Sequence, residues 1–251
     1  MSTYTFKTKN GIELGGFSPA SLSAMHQDLA ELGIEPTQIA EAASYSMAMV
    51  VRYALGLSAT GGKVCALVGD SLAGAVALAT MRHLVNAGAD GSALLVFDPT
   101  IAGPETKRQL TPLSHMGVPI EWCRESHTGS AAHAIISASH NVIFGLFGLS
   151  LADPVIAGCV TMLNEQQTPV HAIEAPLGVD LENGAHGPAA LFASSTLSLG
   201  APYAGLNPGR DCVGRHYLCD ISITREIYAK HGEDLSALFA QQPVTQILPV
   251  G

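Results

Sequence analysis

Four polar side chains fall where an open α/β sheet places its chemistry. Asp70 and Ser71 follow the apolar run 64–68, Asp98 follows the run 92–97, and Glu174 follows the buried-type run 169–173. Ligands in such sheets bind at the carboxyl ends of strands. A carboxylate at the end of a buried strand is partly desolvated, which raises its pKa toward a useful acid/base range, so Glu174 is the candidate general acid/base. The Gly69-Asp70-Ser71 turn runs into a small-residue helix whose free amides and positive partial charge suit phosphate or another anion. Each position also has a plain structural use. Asp and Ser are the common helix N-caps, and Asp98-Pro99 is an ordinary turn signal.

Two further patterns carry chemistry on paper. Gly69-Asp70-Ser71-Leu72 spells the signature of the GDSL serine hydrolases, with Ser71 as nucleophile. The sequence contains neither the Asp-x-x-His that would supply the base nor the Gly-x-Asn-Asp of that family's oxyanion hole. Cys212, His216 and Cys219 form a C-x3-H-x2-C spacing, but His216 and Cys219 lie in one strand pattern. Three residues apart on a strand, they point to opposite faces, and zinc ordinarily takes four ligands. No metal is expected there.

The elements that must position these groups read as a strand–helix alternation. Strands are expected at 64–68, 92–97, 118–122, 141–146, 169–174, 192–198 and 215–221. Helices are expected at 19–32, 36–55, 71–88, 104–116, 129–138 and 154–166. This alternation predicts a mainly parallel sheet covered on both faces, in one domain over 1–251. Residues 1–17 read as an irregular arm, and the tail from Thr224 as partly helical. With 251 residues, 47% of them apolar and only 13% charged, the chain can bury a large core. A net charge of −9 without a basic run argues against nucleic acid and anionic membrane as partners. The polar N-terminus, the absence of an uninterrupted apolar span and five cysteines without a CxxC pair point to a cytoplasmic protein with reduced thiols.

The second half of the chain resembles a known family. Residues 195–206 are similar to the T-x-T-F-G-A-P-K-P-G-L segment of the NAD(P)H-hydrate epimerases, the YjeF N-terminal domain. Residues 173–180 resemble that family's D-I-P-S-G-L-D, residues 141–148 its D-L-I-I-D-A-L-F-G, and 209–214 its G-R-D-x-V-G. Arg82-His83-Leu84 matches the R-H-L that follows its G-N-N-G-G-D-G loop, and Glu41 matches an early Glu. The resemblance implies a three-layer α/β/α sandwich of Rossmann-like topology, commonly dimeric. It also implies interconversion of the R and S forms of hydrated NADH and NADPH, with a potassium ion beside a catalytic Asp.

Carried over position by position, that site is largely replaced. The nucleotide loop becomes Leu72, Ala73, Gly74, Ala75 and Val76. The potassium-ligand positions become Ala73, Phe144 and Leu177, the lysine becomes Tyr203, and the catalytic Asp becomes Glu174. A hard cation requires oxygen ligands, so no cofactor ion is expected. Ligand-binding positions on this reading are Asp70, Ser71, Leu72, Ala73, Gly74 and Val76 on the first turn. Asp98, Phe144, Gly148, Leu149 and Leu177 complete them from the later strand ends. Leu72, Ala73, Val76, Phe144 and Leu177 are expected to pack together and reline the crevice. A divergent ligand-binding or interaction protein follows, with a small molecule or protein partner at the crevice and a homodimer by family habit. The alternatives are an isomerase acting through Glu174, with hydrated NAD(P)H as substrate, and the Ser71 hydrolase.

Overall fold

The computed structural model describes residues 4–57, 61–124, 131–240 and 242–250. In chain order the elements are β1 (Thr5–Thr8), β2 (Glu13–Gly15), α1 (Pro19–Glu31), α2 (Pro36–Met49), β3 (Lys63–Val68), α3 (Leu72–Asn86) and β4 (Asp90–Leu95). They continue with α4 (Pro104–His115), β5 (Ile120–Trp122), α5 (Ala131–Ala138), β6 (Asn141–Gly145), α6 (Pro154–Gln166) and β7 (Val170–Ile173). The last are β8 (Ser195–Leu199), α7 (Arg210–Val213), β9 (Arg215–Cys219), α8 (Arg225–Lys230) and β10 (Val244–Val250).

The ten strands among the described residues form one sheet in the order β2-β1-β10-β9-β8-β7-β6-β3-β4-β5. From β9 to β5 every neighbouring pair is parallel. Alternation along β3 sorts its side chains. Val64, Ala66 and Val68 join one core with α1, α2, α3 and Leu113 of α4, while Cys65 and Leu67 join a second core with α5 and α6. The expected three-layer α/β/α sandwich with a mainly parallel sheet is therefore the observed one. Strand order reverses between β3 and β6, so the crevice at their carboxyl ends is the topological switch point.

The arm differs from expectation. Residues 4–15 are a hairpin, not an irregular segment, and β1 pairs antiparallel with the equally unexpected β10. The physical reason lies in alternation: Phe6 and Leu14 are fully buried while Lys7 and Glu13 face solvent. Asn10-Gly11, a strong hairpin-turn pair, lies between the two strands, and Gly11 adopts φ 84°. Helix α2 stops at Met49 and passes into a π-helical turn, Val50–Ala54, where one continuous helix to residue 55 was expected. No helix among the described residues is long and apolar enough to cross a membrane.

Candidate functional site

Glu174 leaves β7 with its backbone in the left-handed region, φ 66°. That conformation costs a residue with a Cβ about 1 kcal/mol and tends to persist at functional sites. It is held by the neighbouring strand, since Glu174 N donates to Leu197 O at 2.8 Å. The side chain is 6% exposed. Tyr203 Oη donates to Glu174 Oε2 at 3.1 Å. The Tyr203 ring stacks on Phe147 at 5.6 Å between centroids and 26° between planes. The Tyr203 segment is itself clasped by the N-terminal arm through Phe17 N to Pro202 O at 2.8 Å and Ala204 N to Phe17 O at 2.9 Å. Burial pushes the Glu174 carboxyl up to about 7, with the Tyr203 hydroxyl pulling weakly the other way. Burial and the neighbouring carboxylate push the Tyr203 phenol upward as well. A carboxyl poised near neutrality can hold or give up a proton, the capacity expected of Glu174 from its place in the sequence.

The first turn is built differently from a nucleotide cradle. Ser71 is the N-cap of α3, and its Oγ accepts from Gly74 N at 3.2 Å. Gly74 has to be glycine, because a Cβ there would sit 1.8 Å from Gly69 O. Asp70 turns away from its own helix and accepts from Gly103 N and Thr106 Oγ1 across the crevice. Asp98 caps the short 3-10 turn Pro99–Ile101, accepting from Thr100 N at 2.8 Å and Thr100 Oγ1 at 2.7 Å. These bonds hold its carboxyl below the ordinary range. Leu149 lies against Gly69, where a Cβ would come within 2.7 Å of Leu149 Cδ1. The switch-point turn is thus covered by an apolar side chain, next to the exposed Gly148.

The five substituted positions do not form one patch. Ala73 and Val76 are buried in the core with α3, and Leu72 packs against its edge. Phe144 and Leu177 are buried in the other core, with α5 and α6. Strand β6 explains the split, because alternation sends Phe144 to the face opposite α3. Ala73, Phe144 and Leu177, where the resemblance would place potassium ligands, are 1%, 0% and 7% exposed and offer no side-chain oxygen. They do not fit a hard cation.

Two further polar clusters lie inside the sheet. His171 bridges Ser195 Oγ at 2.9 Å and Asn141 Oδ1 at 2.8 Å, a nucleophile-like row, but Ser195 is wholly buried and cannot meet a substrate. His216 Nε2 pairs with Ser198 Oγ at 2.8 Å, and Cys219 Sγ donates to Ser198 O, so both are engaged inside the sheet rather than with Cys212. Neither Glu174 nor Tyr203 lines the cavities of about 830, 800 and 290 Å³ bounded by described residues, although Phe17 and Ala204 beside Tyr203 line the first. Sequence reasoning missed the Tyr203–Glu174 bond and the reach of Asp70 to α4. The first was signalled by Tyr203 following the strand next to Glu174, whereas no local pattern signals the second.

Comparison with known proteins gives the lineage. The chain is 26% identical over 220 residues to the NAD(P)H-hydrate epimerase of Ajellomyces capsulatus, covering 82% of this chain and 83% of that one. It is 27% identical over 213 residues to the NAD(P)H-hydrate epimerase of Yarrowia lipolytica, covering 82% and 81%. The solved structure of the yeast protein ynu0, YNL200c, superposes with a TM-score of 0.80 at 18% identity, covering 93% of this chain and 100% of that one. That likeness establishes the fold. Residues 36–205 match the family described as YjeF-related protein N-terminus, and the chain belongs to that family.

Proposed function

We propose that this chain is a ligand-binding or interaction protein without potassium-dependent NAD(P)H-hydrate epimerase activity. The observation that carries the reading is the fate of the first turn. Ala73 and Val76 are buried in the core, Ser71 caps its own helix, and Leu149 covers Gly69. No side chain of that loop is left to hold a pyrophosphate, and no oxygen donor stands at the three cation positions. The acid/base-type side chain kept at the later strand ends is Glu174, buried against Tyr203 rather than set beside a pyrophosphate.

A second reading follows from Glu174 itself. A buried carboxyl titrating near neutrality, in a left-handed backbone, suits an isomerase of this family that works without a cation. One experiment separates the two. Hydrated NADPH enriched in one epimer is incubated with the protein, with and without potassium, and the epimer ratio is followed by chromatography. The first reading expects the rate in buffer under both conditions. A potassium-independent acceleration abolished by Glu174→Gln establishes the second reading, and acceleration by potassium contradicts both.

A further inference from the structure

The π turn Val50–Ala54 that ends α2 is closed by Leu55 N donating to Val50 O at 3.0 Å. Such turns are rare and are frequent at functional sites. Arg215, the first residue of β9, ties this one to the sheet, its Nη1 donating to Ala54 O at 3.3 Å. Between the turn, β9, β10 and the tip of the N-terminal hairpin lies the cavity of about 800 Å³. It shares no described lining residue with the cavity beside Phe17. Its volume suits a small organic ligand.

The wall of this cavity is built for an anion. Lys9 and Arg215 line it, and none of its described lining residues is acidic. That runs against a chain with 21 acidic and 12 basic side chains. Arg82, Arg108, Arg225 and Lys230 each pair with a carboxylate. Lys9 and Arg215 have no carboxylate partner among the described residues. Tyr217 lies between them in the lining and is only 6% exposed. Its register partner Gln246 also lines the cavity, so both side chains stand on the sheet face beneath it. Every fully enclosed side-chain oxygen or nitrogen among the described residues has a hydrogen-bond partner. The Tyr217 hydroxyl has none among them, so it opens onto the cavity, where it can donate to a ligand. Met49, Val50 and Val244 supply an apolar wall for the rest of that ligand.

We propose that this cavity is a second binding site, separate from the Glu174 crevice, for a small organic anion. Lys9 and Arg215 attract its carboxylate or phosphate, the Tyr217 hydroxyl donates to it, and the apolar wall takes its carbon body. The test is isothermal calorimetry with phenyl phosphate, benzoate, neutral benzamide and inorganic phosphate. The proteins are the wild type, Lys9→Gln, Arg215→Gln, Tyr217→Phe and, as a control for net charge, Lys7→Gln, an exposed lysine outside the lining. Phenyl phosphate, benzoate or both are expected to saturate the wild type, the tighter of the two telling phosphate from carboxylate. Removing either cation weakens that anion roughly tenfold. Tyr217→Phe weakens it less, and Lys7→Gln leaves it unchanged. Inorganic phosphate bound as tightly as the better organic anion means an adventitious ion only and overturns the proposal. So do benzamide bound as tightly as benzoate, no saturable binding by the wild type, or an equal loss in Lys7→Gln. An affinity unchanged in both Lys9→Gln and Tyr217→Phe also overturns it. Those two variants keep the Arg215 bond to Ala54, so they decide the matter even where Arg215→Gln fails to fold.

Discussion

Replacing Glu174 with Gln removes one titration from the middle of the molecule, and the size of the effect follows from where that carboxyl sits. The unfolded chain ionises Glu174 near its ordinary value of 4.5, whereas the folded protein holds the proton up to about 7 because burial penalises the charge. Between those two pH values the folded state binds the extra proton, so stability falls as pH rises. The loss begins near pH 4.5 and is complete above about 7. Each pH unit of that gap corresponds to ~1.4 kcal/mol, so the full loss is ~3 kcal/mol. Glutamine keeps an oxygen for the Tyr203 hydroxyl and cannot ionise. Urea unfolding of wild type and Glu174→Gln at pH 5 and pH 8 therefore gives a stability difference that moves by ~2.5 kcal/mol in favour of the variant at pH 8. A difference that stays constant across that range refutes the claim that Glu174 is buried without a compensating cation.

Three predictions concern the first turn. Gly74→Ala forces a Cβ to within 1.8 Å of Gly69 O and abolishes soluble folded protein, whereas Gly187→Ala, with nothing within 4 Å, leaves the melting temperature unchanged. Ser71→Ala removes the α3 cap and costs ~1 kcal/mol in a urea titration. The wild-type Ser71 stays unlabelled by a fluorophosphonate, because its Oγ is engaged with Gly74 N as a cap, and labelling would restore the hydrolase reading.

The parallel half of the fold was legible because its signals are local. The run 64–68 followed by glycine and a small-residue helix can hardly be anything but a strand–turn–helix unit, and Glu174 was found by the same rule applied to β7. The hairpin of residues 4–15 was missed although Asn10-Gly11 marked it, because strands of four and three residues give too little alternation to outweigh their polar setting. The expectation of one relined apolar crevice failed for a geometric reason. Adjacent motif residues were pooled by their apolar character, but the sheet lies between Ala73 and Phe144. Asp70 illustrates the limit most clearly. Its partner amide is 33 residues away, and only the packing of α4 beside α3 brings the two together.

On the function proposed above, the family's cation-dependent nucleotide site has been replaced in this chain. Its most direct test is the epimerisation rate of hydrated NADPH at fixed protein concentration as potassium is raised from zero. The expected rate equals that of buffer at every potassium concentration. A rate that climbs and saturates with potassium would contradict it, since Ala73, Phe144 and Leu177 offer such an ion no side-chain oxygen.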